Sequence, residues 1–336
     1  MAAYVAIGVY LCAVIIVGFV GNVLVIVAFC KFKKLRTANN CLIMNLSVSD
    51  LAMAVVGTPM SCSSSFAGRW LYGQGGCSYY GFINYYCGCI SLNTFAAISV
   101  YRYIVIMRYG PNRRFTVTMI LKVIAAVHVI TLICTTPPLY GWNEFILEGF
   151  KTQCDINYRD KSPLFVSYIA FMFLALFFAP LGIIVNCYWR IFTFLHRRTQ
   201  EHISQSVSLQ LRNSARTMEK RTTIMMLVCL SFFLLAWTPY CFVSLWSLFG
   251  DHRDITPPVS AAPALVAKSC IVFNPIIYGV MSPQYRRSFQ DTCGKWRLLC
   301  KQTGSPSVVT IGSRGGNQAR DNVIMPNCPT ASKNNL

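Results

Sequence analysis

The sequence has little charge and less acid. Of its 336 residues 12% are charged, and 11 Asp and Glu stand against 30 Lys and Arg. A soluble domain carries about 25% charged residues, so a soluble globular chain is excluded. Strong alternation of apolar and polar residues is missing, which excludes a membrane β-barrel. Internal repeats are missing too. No glycosylation sequon faces outward, since Asn45-Leu46-Ser47 lies inside an apolar run.

What remains is apolar. The chain is 54% hydrophobic, with a mean hydropathy of +0.48. Apolar stretches run near Tyr4–Cys30, Cys41–Ser64, Cys77–Met107, Thr118–Leu139, Leu164–Leu195, Thr222–Phe249 and Pro257–Met281. Each covers the roughly 20 helical residues that cross a bilayer. The expected fold is all-α, a bundle of seven transmembrane helices. Residues 1–296 form that domain, ending in an interfacial helix over 283–296, where Tyr285, Phe289 and Trp296 mix with bases. Residues 297–336 turn to Gly, Ser, Asn and Thr and read as a disordered cytoplasmic tail. Cys293 and Cys300 are candidates for lipidation.

Basic residues set the orientation. Lys31, Lys33 and Lys34 follow span one, Arg113 and Arg114 separate spans three and four, Arg197 and Lys220 separate five and six, and Arg286 follows seven. These segments fall on one side, the cytoplasmic one. The N-terminus is then outside and the C-terminus inside, as in a multi-pass plasma-membrane protein. The formal charge of +19 is topology and lipid-surface charge, not a nucleic-acid footprint. Cys77 and Cys154 lie on the outer side, where an oxidising compartment favours a disulfide between them.

Two charges lie where lipid forbids them. Asp50 in NLSVSDLA needs partners, and Asn22 and Asn274 are the candidates. Lys268 lies in LVAKSCIVFNPIIYGVM. An ammonium at a helix centre costs about 2.5–3.5 kcal/mol on insertion scales. Such a residue is paired, faces water or is chemically used. Prolines recur beside polar residues in the last three spans: Pro180 before Tyr188, Trp237-Thr238-Pro239-Tyr240, and Asn274-Pro275 with Tyr278. Three kinks of this kind suit helices that move.

Gly21-Asn22, Leu46 to Asp50, Cys77, Arg102-Tyr103, Trp237-x-Pro239 and Asn274-Pro275-x-x-Tyr278 fall in order along the seven spans. Over roughly residues 8–295 the chain resembles the rhodopsin-like G-protein-coupled receptors. The resemblance implies a heterotrimeric G protein as partner, of Gi/Go type, with arrestin and a receptor kinase as further partners. It makes Asp50, Arg102, Tyr103, Asn274, Pro275 and Tyr278 an activation switch. Two positions depart from the pattern. Tyr101 stands where an acid normally restrains the arginine, which leaves Glu219 as the acid for Arg102. His128 stands where span four usually has tryptophan.

Lys268 stands six residues before Asn274, the spacing of the retinal-binding lysine in animal opsins. That resemblance implies retinal, 11-cis or all-trans, held covalently as a Schiff base. A protonated Schiff base needs a counterion. In vertebrate visual pigments it is a glutamate three residues after the span-three cysteine; here that residue is Tyr80. Glu148, six residues before Cys154, is similar to the loop glutamate of many invertebrate and non-visual opsins, with Glu144 as its competitor. Trp237, Tyr240, Gly88, Phe173, Phe177 and Ala264 would complete the pocket, Gly88 leaving room beneath the chromophore. The implied function is a light-sensing receptor rather than an enzyme, of the non-visual kind that includes peropsins, neuropsins and Go-coupled opsins. Two rivals are an opsin-type retinal photoisomerase and a chemosensory receptor without retinal.

Overall fold

Among the described residues of the computed structural model are seven long apolar helices: Ala2–Lys31, Ala38–Ala67, Gly73–Met107, Val117–Thr135, Pro163–Arg197, Lys220–Phe249 and Pro257–Met281, hereafter spans one to seven. A further helix, Pro283–Thr303, follows. The structure describes residues 1–109, 115–201, 210–250 and 255–303, with side chains left undescribed at 108–109, 198–201, 210–219 and 295–303. Glu219, Cys300 and the tail therefore lie outside the described side chains. The packing below concerns Met1–Gly294, one of two units into which the chain divides.

Local chemistry sets the helix ends. Thr37 caps span two by accepting from the Asn40 amide at 3.3 Å, and Thr116 caps span four by accepting from Met119 at 3.3 Å. Pro163 and Pro257 occupy first helical positions, where a missing N–H costs nothing. Span four stops at Thr135, short of the expected Leu139. Pro137 and Pro138 cannot continue the ladder and turn instead as a 3-10 segment, Pro137–Leu139.

Internal prolines shape the rest. Wide π turns, Met53–Gly57 and Phe173–Phe178, precede Pro59 and Pro180, so the ring of each proline meets a widened ladder. Pro275 frees the carbonyl of Ile271. Asn22 of span one donates to that carbonyl at 2.9 Å and to Gly18 at 2.8 Å. A Cβ on Gly21 would meet Pro275 at 2.9 Å, so the glycine admits the close approach that brings Asn22 there. Asn22 therefore bonds backbone and not Asp50, contrary to half of the expectation. Asn274 does meet Asp50, Nδ2 to Oδ2 at 2.9 Å.

His128 is a polar bridge. Its Nε2 is 2.8 Å from Asn45 Oδ1, an acceptor, so that nitrogen donates. Its Nδ1 then accepts from the Tyr86 hydroxyl at 2.7 Å. Asn45 Nδ2 passes the chain to Thr94 at 2.9 Å. His128→Phe orphans two polar groups. Buried orphans cost about 1–3 kcal/mol in soluble proteins, but interhelical bonds in membranes average about 0.6 kcal/mol. The expected loss is thus about 1 kcal/mol, read as a lower melting temperature in detergent.

Between spans four and five lies an antiparallel hairpin, β1 (Phe145–Glu148) and β2 (Gln153–Ile156). Glu148 pairs with Gln153, and Leu147 with Cys154. The turn needs Gly149 and Lys151 at φ of 57°. Asn143 pins the base: its Oδ1 accepts from the amides of Glu144 at 2.7 Å and Asn157 at 3.0 Å.

Candidate functional site

Lys268 ends the first half of span seven, which breaks at Ser269 before resuming at Cys270. The break is a tight turn, with Ser269 N bonding Val266 O and Val272 N bonding Ser269 O, both at 3.0 Å. The lysine is 8% exposed. Its Nζ donates to Gln153 Oε1 at 3.0 Å and reaches the Ala264 carbonyl at 3.5 Å. It lies 5.8 Å from the centroid of the Tyr80 ring. A buried amine thus ends span seven's first half inside a cavity of about 950 Å³, part of it open to solvent.

That cavity is walled by Tyr80 and Gly88 of span three, Phe173 and Phe177 of span five, Trp237 and Tyr240 of span six, and Ala264 of span seven. Strand β2 covers it with Gln153, Cys154 and Asp155. The Cys77–Cys154 disulfide, with Cα atoms 5.5 Å apart, ties β2 to span three. Gly88 does not leave room for a ligand in the way expected. A Cβ there would meet Trp237 at 2.7 Å, so the indole already fills that space. Trp237 is stacked on Phe233 at 5.8 Å and edge-on to Tyr240 at 5.8 Å, and has little freedom to give way. Gly88→Ala is expected to cost about 1–3 kcal/mol through this overpacking, measured as thermal stability of the ligand-free protein.

Register decides which loop carboxylates face the amine. Opposed residues of an antiparallel pair share a face, and the period is two. Glu148, Gln153 and Asp155 therefore lie on one face of the hairpin, with Leu147 and Cys154 on the other. Glu144 is exposed and accepts from Asn157 Nδ2 at 3.1 Å, so it is not the competitor. That place belongs to Asp155, which lines the cavity where Glu148 does not. Glu148 Oε1 accepts from the Ser260 hydroxyl at 2.7 Å, and its buried Oε2 has no donor. Burial, and next the Asp155 charge, push the Glu148 carboxyl up to about 8, against the pull of Ser260 and Lys268. Burial also raises Asp155, opposed first by the hydrogen bond from Tyr240 and then by that from the Ile156 amide. Gln153 and Asp155 carried no motif. Their one sequence signal was position, each adjacent to the bridging Cys154.

At the other end of the bundle Arg102 is 2% exposed. Its Nη2 donates to Asn39 Oδ1 of span two at 2.6 Å, and its guanidinium lies 5.6 Å from the Tyr101 ring. Tyr278 is buried and tilts against Tyr285 with centroids 5.7 Å apart. Cys293 is exposed.

Comparison with known proteins agrees with this arrangement. Residues 21–278 match the 7 transmembrane receptor (rhodopsin family). The chain is 34% identical over 304 residues to "Rhodopsin, GQ-coupled" of Mizuhopecten yessoensis, covering 88% of this chain and 60% of that one. It is 30% identical to the visual pigment-like receptor peropsin of Homo sapiens, covering 83% and 81%. The chain thus spans less than two thirds of the first of these relatives. The crystal structure of squid rhodopsin superposes with a TM-score of 0.83 at 31% identity, covering 89% of this chain and 87% of that one. The chain belongs to the rhodopsin family of seven-transmembrane receptors and, within it, to the animal opsins.

Proposed function

We propose that this opsin is a light-sensing receptor that binds retinal at Lys268 and activates a heterotrimeric G protein. One observation carries the reading: a buried primary amine points into an aromatic-walled cavity and meets the hairpin through Gln153. Retinal, joined to Lys268 as a Schiff base, supplies light absorption and a change of shape. The chain's own residues do the rest. The disulfide holds the hairpin down so that its polar face meets the nitrogen. The loop carboxylate Glu148 belongs to the counterion, because the span-three position that would supply one holds Tyr80, a phenol and not a carboxylate. Trp237, wedged against Gly88, passes pressure from the cavity to span six at Pro239. Outward movement of span six uncovers a cleft at Arg102 and Tyr278.

The N-terminus and the hairpin are placed outside the plasma membrane, and the basic end in the cytoplasm, by the positive-inside bias. With a tyrosine in place of the span-three carboxylate, the pigment is of the non-visual, bistable kind that retains all-trans retinal. The G protein is of the Gi/Go class, a choice resting on sequence resemblance alone; arrestin and a receptor kinase follow as regulators, and Cys293 and Cys300 as lipidation sites. The decisive measurement is light-dependent nucleotide exchange on purified Go and on Gq. Exchange on Go is expected, and exchange on Gq alone overturns the class.

Tyr101 favours a second reading. No acid directly precedes Arg102 in the sequence, and its Nη2 donates to an asparagine, which suits a photoisomerase released from signalling. Light-driven conversion of retinal with no exchange on any G protein selects that reading.

A further inference from the structure

The hairpin brings two carboxylates, not one, to the lysine. Glu148 and Asp155 share the face that carries Gln153, and Gln153 holds the Lys268 nitrogen. Asp155 lines the cavity, while Glu148 lies behind it against Ser260. The buried Glu148 Oε2 lacks a donor, and its electrostatic partner is Asp155. Two ionised carboxylates have no hydrogen bond to make with each other. One proton between them supplies it, and leaves the pair with a single negative charge.

We propose that Glu148 and Asp155 form a proton-sharing pair, with the proton on Glu148 and the charge on Asp155, and that this pair is the counterion of the Lys268 nitrogen. The proposal rests on the retinal reading and deepens it. Three features place the charge on Asp155. It borders the cavity directly. It accepts from the Tyr240 hydroxyl and from its neighbour's amide, Ile156 N to Oδ1 at 2.8 Å. Glu148 has only the Ser260 hydroxyl, and burial drives it to hold its proton. The other titratable groups facing the pair are Lys268 of span seven, Tyr240 of span six, Tyr158 after β2, whose hydroxyl lies 3.3 Å from that of Tyr240, and Tyr80 of span three, whose ring borders the lysine. A phenol is never a cation, so the lysine nitrogen is the only group among them that can carry positive charge. A single shared negative charge balances it; two would not.

Spectral titration of the retinal-reconstituted protein tests the pair. Asp155→Asn is expected to lower the pKa of the Lys268 imine nitrogen by about one unit or more. Glu148→Gln is expected to lower it less, since Asp155 keeps its charge. The double variant lowers it beyond either and moves absorption to the ultraviolet at pH 7. An Asp155→Asn titration that overlays the parent overturns the pair. A native protein with no visible absorption with either isomer sinks the retinal reading instead.

The ligand-free protein separates those failures. Glu148 titrates near 4.5 ordinarily and at about 8 here. Between those values the folded state holds a proton that the unfolded state has lost, so stability falls as pH rises across that window. Asp155→Asn removes the neighbouring charge, and the fall should shrink. Infrared spectra of the native protein give a further check: a protonated-carboxyl band that Glu148→Gln deletes supports the pair, and its absence from the native protein overturns it.

Discussion

Lys268→Ala is expected to leave a folded protein that forms no covalent retinal adduct and drives no light-dependent nucleotide exchange. The magnitudes argue that the fold survives. A charged lysine within the hydrocarbon costs about 2.5–3.5 kcal/mol. What it gains here is a hydrogen bond to Gln153, with a longer reach to the Ala264 carbonyl, worth about 1.5–3 kcal/mol when the donor is charged; the carboxylate it balances can take up a proton once the amine is gone. Removing both terms is close to neutral, so the apoprotein should melt within a few degrees of the parent. Borohydride reduction after incubation with retinal, followed by mass spectrometry, reads the adduct directly. An adduct persisting in the variant would place the chemistry on another amine and end the assignment. A parent protein that forms no adduct, yet responds to a diffusible ligand, makes Lys268 only a polar contact in a chemosensory pocket. A surface lysine such as Lys161, which donates to the Gly250 carbonyl, serves as the control.

Much of this was legible in the chain, and the misses have physical reasons. The spans were readable because lipid admits only long apolar helices, and Lys268 because it breaks that rule. The end of span four was overrun because hydropathy counts Pro137 to Leu139 as apolar, whereas the ladder stops at Pro137. Asn22 was assigned to Asp50 by chemistry alone. The carbonyl that Pro275 frees is a nearer acceptor, visible only once Gly21 packs against that proline. Gly88 was read as space for ligand, but space in a packed bundle belongs to whichever side chain crosses from the next helix, here Trp237. The loop carboxylates were the hardest. Sequence distance to Cys154 singled out Glu148, and Glu144 was weighed as its rival. The register, fixed by the left-handed residues of the turn, turns Asp155 inward, while Glu144 stays at the surface because it precedes β1 at the base of the hairpin, where it meets Asn157.

Cys154→Ser should cost more than any other change outside the lysine, and the form of the loss tests how the pocket is held. The Cys77–Cys154 bridge closes a loop of 77 residues. Chain entropy for such a loop is about 4–5 kcal/mol. That figure is an upper bound here, since spans three and four stay threaded through the bilayer when the bridge opens and the freed chain is mostly the hairpin. A loss of about 2–3 kcal/mol is the better expectation, at the low end of the usual range. The larger effect is positional. Strand β2 carries Gln153 and Asp155 on either side of Cys154, so when the bond to span three goes Gln153 loses its hold on the Lys268 nitrogen and Asp155 its place in the cavity wall. Asn143 still pins the base of the hairpin, so the strand pair should survive while its seat over the cavity loosens. The variant should therefore reach the membrane, melt several degrees lower, and bind retinal in at most a small fraction of molecules, with a lowered imine pKa in those that do. Absorbance per mole of protein, with a melting curve on the same sample, separates the two losses. A melting temperature that falls while absorbance per folded molecule is unchanged would mean that the disulfide only staples the fold, and that the hairpin finds its place over Lys268 without it.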